Sequence, residues 1–128
     1  MKLLAIDLGV KKTGLALGDS DARVAVPFGR LEGEKNTLKE ILHLAMTEGV
    51  EAFVVGLATA EGNQHRGQTD RTLSFIQELK EKSGGEVHVI DEQFSSAEAR
   101  RLQEEYGSKI SEDELAAMLI LQAWLDEK

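Results

Sequence analysis

LLAIDLGVKKTGLALG, residues 3–18, holds two apolar runs joined by a short glycine-bounded link. Leu3-Leu4-Ala5-Ile6 runs into a single carboxylate, Asp7. The link Leu8-Gly9-Val10-Lys11-Lys12-Thr13-Gly14 leads to Leu15-Ala16-Leu17. Short apolar runs bounded by turn residues read as buried strands, and two of them joined in this way read as a hairpin. Asp7 is then a charge inside the most apolar strand of the chain. Burying a lone carboxylate is costly unless it is paired, hydrogen-bonded or bound to a metal. Asp7 therefore needs a partner, either Lys11 or Lys12 in a buried ion pair or a bound cation.

Working outward, Gly18-Asp19-Ser20-Asp21 is a turn cluster, and Val24 to Leu31 is a third strand holding the only proline, Pro27. Proline cannot donate to a ladder, so this strand belongs at an edge or carries a bulge. Asn36 or Thr37 can cap a helix to Glu48, with Leu38, Ile41, Leu42 and Ala45 on one face. Ala52 to Leu57 is apolar throughout, as a central strand covered on both faces requires. Ala58 to Gln68 is a polar loop, the best candidate for a ligand-facing segment. Arg71 to Lys82 reads as helix and Val87 to Ile90 as a fifth strand leading into Asp91-Glu92. Ser95 and Glu98, then Ser111 and Glu114, have capping-box spacing and open two last helices. The final one is apolar almost all round and should lie against the sheet. The order is β-β-β-α-β-α-β-α-α.

The 128 residues fit a single domain over 1–128, with 41% hydrophobic and 30% charged residues, ordinary for a globular protein. There is no cysteine, hence no disulfide and no thiolate metal site. No run of about 18 apolar residues exists to cross a membrane. The N-terminus lacks the pattern of a signal peptide, and a cytoplasmic location is expected. A net charge of −8 speaks against binding nucleic acid or acidic lipid by bulk attraction. A local basic patch from Lys11, Lys12, Arg66, Arg71, Arg100 and Arg101 requires the fold to gather them.

Asp7 ends the first strand, Asp91 and Glu92 end the fifth, and Asp113 lies at the start of the last helix. If strands one, four and five run parallel, the ends of one and five share a sheet edge, where open α/β sheets bind ligands. Acidic clusters without His or Cys suit hard cations, so Mg²⁺ or Mn²⁺ is favoured over Zn²⁺. Each position has a plainer reading. Asp113 is also a helix-dipole partner, Asp91-Glu92 also the start of a polar loop, and Asp7 also half of a lysine ion pair. Ser95 and Ser96 read as caps rather than nucleophiles. His43, His65 and His88 read as surface or packing residues.

AIDLGVKKTGLAL, VVGL, DEQFSSAEAR and DELAAMLILQAWL, taken together and in this order, resemble the YqgF/RuvX family of RNase H-like proteins. The family is described as pre-rRNA nucleases or Holliday-junction resolvases. The resemblance covers nearly the whole chain. It implies an α/β, RNase H-like fold: a five-stranded mixed sheet of order 3-2-1-4-5 with helices on both faces. It further implies a divalent-metal nuclease whose acidic positions map onto Asp7, Glu92 and Asp113. Asp91 is the adjacent alternative, and strand alternation lets only one of the pair face the site. Four positions depart from the family pattern: Gln93 and Lys12 stand where arginine is usual, Ser96 where threonine is, and Ala58 where proline is. Gln93 cannot form the bidentate phosphate clamp of an arginine.

Three functions are therefore expected to compete. The first is a Mg²⁺- or Mn²⁺-dependent endonuclease on structured RNA, maturing the 5′ end of pre-16S rRNA. Here Asp7, Glu92 and Asp113 hold metal and Lys11, Lys12 and Arg66 contact phosphates. The second is resolution of branched DNA in recombination, which needs a homodimer rather than a monomer. The third is a non-catalytic nucleic-acid-binding module. The Asp-x-Gly opening also resembles the phosphate loop of actin-like kinases, but those need two such domains. A receiver domain fails for want of a carboxylate at the end of VVGL.

Overall fold

The structure is a computed structural model that describes residues 1–9, 11–33, 35–57, 66–91, 101–105, 107 and 110–127, without the side chains of 66–69. The strands are β1 (Lys2–Leu8), β2 (Lys12–Asp19), β3 (Val24–Glu32), β4 (Ala52–Leu57) and β5 (Glu86–Asp91). The helices are α1 (Thr37–Glu48), α2 (Arg66–Ser83), helical residues 101–105 (α3) and α4 (Glu112–Asp126). The strands form one sheet in the order β3-β2-β1-β4-β5. β1 pairs antiparallel with β2 and β2 with β3, whereas β1–β4 and β4–β5 are parallel. This is the mixed five-stranded sheet expected.

Side-chain alternation divides the sheet into two packed faces. Leu3, Ala5, Ala16, Ala25, Ala52, Val54 and Ile90 lie under α4, which contributes Leu115, Met118, Leu121, Trp124 and Leu125. Leu4, Ile6, Leu8, Leu15, Phe53 and Val55 face α1 and α2, which contribute Ile41, Ala45, Ile76 and Leu79. α4 lies across β1, β2 and β3 and reaches β4. Fully burying each such Leu or Ile contributes about 1.5–3 kcal/mol, so α4 is seated mainly by its apolar surface.

Local details differ from the sequence reading in two places. α2 begins at Arg66, so the loop expected over 58–68 gives way to helix three residues early. Asn36 occupies the N-cap of α1 in the left-handed region (φ 66°) and makes no side-chain cap bond. Thr37 instead donates its hydroxyl to the Gly33 carbonyl, at 3.3 Å. The helix expected from Ser95 falls partly outside the described residues. The Ser111–Glu114 box forms as read, the Ser111 Oγ accepting from the Glu114 amide at 3.2 Å.

β3 carries a bulge. Leu15 pairs with Gly29 but Ala16 with Pro27, so Phe28 is the extra residue. Gly29 has φ 126°, a conformation that L side chains rarely adopt. The inserted residue reverses the alternation of β3, and Arg30 and Glu32 come out on the α4 face.

Candidate active site

The site is organised by one row of the sheet. Asp7 of β1 pairs with Gly14 of β2, and Gly14 pairs with Arg30 of β3. Directly opposed residues of neighbouring strands project on the same face. Asp7 follows Leu3 and Ala5 on the α4 face, and it is half-buried and engaged by a neighbouring group.

Gly14, in the middle of the row, has no side chain for a reason the structure makes plain. A Cβ there would stand 1.8 Å from the Asp113 carbonyl oxygen and 3.0 Å from its Cα. The first turn of α4 thus rests on the bare backbone of β2, between Asp7 and Arg30. Main chain against main chain fixes where Asp113 begins, and the capping box fixes the angle at which the helix arrives. Asp113 is half-buried. Two carboxylate-bearing segments far apart in sequence are therefore brought to one end of one face.

The link after Asp7 is held from two sides. Arg71 of α2 donates from Nη1 to the Gly9 carbonyl at 2.8 Å. The Gly33 amide donates to the Lys11 carbonyl at 2.8 Å. The link is tight as well, because a Cβ on Gly9 would meet the Lys12 carbonyl oxygen at 2.1 Å.

A cleft of about 480 Å³ opens beside the row, lined by Lys12, Arg30, Gln103, Ser111, Asp113 and Glu114 among others. Lys12 is exposed and pairs with Glu32, while Arg30 forms an ion pair with Glu32, Nη2 to Oε1 3.3 Å. Lys11 is exposed.

Of the residues singled out from sequence, Asp7, Asp113 and Lys12 come together at this end. Asp91 does not join them. Ile90 belongs to the α4 face, so Asp91, paired with Leu57, projects from the opposite face and is exposed. Glu92 and the Arg66 side chain lie outside the described residues. Among the described residues no three potential ligands form a cluster. Asp7 and Asp113 supply two hard oxygen donors, and the described cleft residues include no His or Cys. That donor set fits a Mg²⁺-like cation better than zinc. Arg30 and the seat at Gly14 were not singled out from sequence. The bulge that turns Arg30 inward is signalled only by Pro27.

Comparison with known proteins agrees with this architecture. Two relatives carry the name "Putative pre-16S rRNA nuclease". One, from Anaplasma marginale (strain St. Maries), is 35% identical over 98% of this chain and 84% of its own length. The other, from Bordetella petrii, is 36% identical over 97% of this chain and 94% of its own. Thermus thermophilus RuvC, solved in complex with a Holliday junction substrate, superposes with a TM-score of 0.65 at 14% identity. That match covers 99% of this chain and 95% of RuvC. The fowlpox virus resolvase, solved with junction DNA, gives 0.64 at 11% identity over 99% and 98% of the two chains. At such identities the likeness is one of fold, the RNase H-like fold. The model of the RuvX family, described as Holliday junction resolvase, matches residues 1–127, and the chain belongs to that family.

Proposed function

We propose that this protein is a divalent-metal-dependent endonuclease acting on structured RNA in the maturation of the 5′ end of pre-16S rRNA. One observation carries the reading: Gly14 lets the start of α4 settle on β2 beside Asp7, bringing Asp113 to the same face. The names of the relatives supply the RNA, and the family supplies the nuclease.

In this reading Asp7 and Asp113 hold a Mg²⁺ or Mn²⁺ ion, and Glu92 supplies the third carboxylate. The period of a strand supports Glu92 over Asp91, because Asp91 projects from the other face. An ion held there would supply Lewis-acid activation of a water and charge stabilisation at the departing phosphodiester oxygen. The chain's own part is to fix the carboxylates and to bind the strand. β1 and α4 hold Asp7 and Asp113 in place, and Arg71 and Gly33 stiffen the link between Asp7 and the lysines. Lys11, Lys12 and Arg66 contact phosphates. Gln93, without a guanidinium fork, leaves more of the phosphate binding to these residues. A cytoplasmic location fits this role.

The test is cleavage of an RNA carrying the 5′ flank of 16S rRNA, with Mn²⁺, by wild type, Asp7→Asn and Asp113→Asn. Loss of at least about a hundredfold in each variant is expected, since metal-held charge stabilisation is worth several kcal/mol. Equal cleavage by all three would reject the metal site. Binding without cleavage, indifferent to Mn²⁺, would instead identify a non-catalytic module. A second reading, resolution of branched DNA by the same carboxylates, is favoured by the description of the family. It requires a homodimer that places two sites across one junction. A protein that sediments as a monomer with and without junction DNA would exclude it.

A further inference from the structure

We infer that Arg30 is a phosphate-binding residue for the nucleic-acid strand, and that Glu32 holds and weakens it. The inference rests on the nuclease reading above for the kind of ligand, but not on catalysis. Four observations lead to it. The bulge at Phe28 turns Arg30 onto the α4 face, in one row with Asp7 and Gly14. Arg30 lines the same cleft as Lys12, where the two are the cations beside the carboxylates of Glu112, Asp113 and Glu114. Its side chain is 39% exposed, enough to reach a ligand in that cleft. Among the described residues its ion pair is with Glu32, Nη2 to Oε1 3.3 Å.

Adjacent strands lie about 4.8 Å apart, so Arg30 stands about 10 Å along the row from Asp7. A stacked strand covers that distance in about three nucleotides, at about 3.4 Å each. A strand whose scissile phosphate sits at Asp7 and which passes round the N-terminal end of α4, which covers Gly14, toward β3 therefore brings a flanking phosphate to Arg30. Lys12, between them on β2, meets the phosphates along the way. The planar fork of arginine matches a phosphate in a way that an ammonium does not.

Glu32 stands directly opposite Lys12 and two residues from Arg30, with its side chain 68% exposed. It therefore competes with phosphate for both cations. On a chain of net charge −8, such a carboxylate limits how tightly nucleic acid is held.

The experiment is fluorescence anisotropy with a labelled stem-loop RNA and a DNA of the same sequence, in EDTA, so that catalysis plays no part. Each protein is titrated at several salt concentrations. Arg30→Gln is expected to weaken binding about tenfold at low salt and to flatten the slope of log K against log salt by about 0.7–0.9. Arg30→Lys should retain the slope but bind less tightly than wild type. Glu32→Gln should tighten binding severalfold, and RNA and DNA should respond alike, because a phosphate contact reads neither base nor sugar. Thermal melting of each variant, expected within a few degrees of wild type for exposed positions, checks that the fold is kept. If wild type binds and Arg30→Gln matches it in affinity and slope, the inference is wrong and the nuclease reading stands. It is wrong too if Arg30→Gln and Glu32→Gln shift affinity in the same direction. If wild type binds neither nucleic acid, both fall together.

Discussion

The two faces of β1 are built from alternate residues of one strand and end differently. Toward α1 and α2 the stripe is Leu4, Ile6, Leu8, and it stays apolar to the end of the strand. Toward α4 it is Leu3 and Ala5, and the next place is taken by Asp7. The same backbone thus serves stability on one side and, in the proposed function, chemistry on the other. A carboxylate is accommodated only at the last position of that stripe, where Asp7 is half-buried beside the seat of α4 on Gly14. Each face also reaches the link beyond Asp7. The α4 side sets down the backbone of Asp113 on Gly14, and the other side sends Arg71 to the Gly9 carbonyl.

The sharpest way to break this contrast is to make both stripes apolar. Asp7→Leu should abolish Mn²⁺-dependent cleavage, by more than about a hundredfold. The same variant should melt within a few degrees of wild type, since the desolvation of a half-buried charge and the interaction it makes are lost together. Its mirror image, Leu8→Asp, should instead cost about 3 kcal/mol or more in denaturant titration, because Leu8 is 7% exposed. A higher melting temperature for Leu8→Asp would show that the faces are not distinct.

Next in size is Gly14→Ala. The added methyl would collide with the Asp113 main chain, so α4 must shift. A loss of about 1–3 kcal/mol is expected, with cleavage falling at least tenfold at temperatures where the variant is folded. Full activity in this variant would mean that the seat on β2 does not set the position of Asp113.

Arg71→Leu tests the support from the opposite face. With one hydrogen bond to the link removed, kcat should fall roughly three- to tenfold with little change in KM for RNA. Arg71→Lys should recover part of the loss, since one donor suffices for one carbonyl. A change confined to KM would make Arg71 a substrate contact instead. The smallest effect is expected for Asp91→Asn, within about twofold of wild type, because its side chain stands on the wrong face. Glu92→Gln should resemble Asp7→Asn.

Much of this was legible in the sequence because it depends on periods of two and on turn residues. The hairpin, the depth of α4 and the place of Asp7 in an apolar strand follow from residue spacing, whereas the strand order followed from the family resemblance. The start of α2 followed from neither, since Gly67 reads as a loop residue yet lies in the first helical turn. Nor did the cap of α1, where Asn36 adopts a left-handed backbone instead of offering its side chain. The row Asp7–Gly14–Arg30 was hidden for a more specific reason. A regular β3 would put Arg30 on the opposite face from Ala25, and only the extra residue at Phe28 brings it back. Alternation can be read from a sequence, but the place where it slips is set by pairing with another strand.

The seating of α4 also governs what a damaged or half-finished copy can do. The last helix is the element that completes the proposed cation site, and it is attached by contacts spanning nearly the full length of the chain. Peeling that helix away takes Asp113 from beside β1 and uncovers Leu3, Ala5 and Ala16 of the sheet. In the proposed reading, a copy whose last helix is not seated therefore lacks a complete cation site.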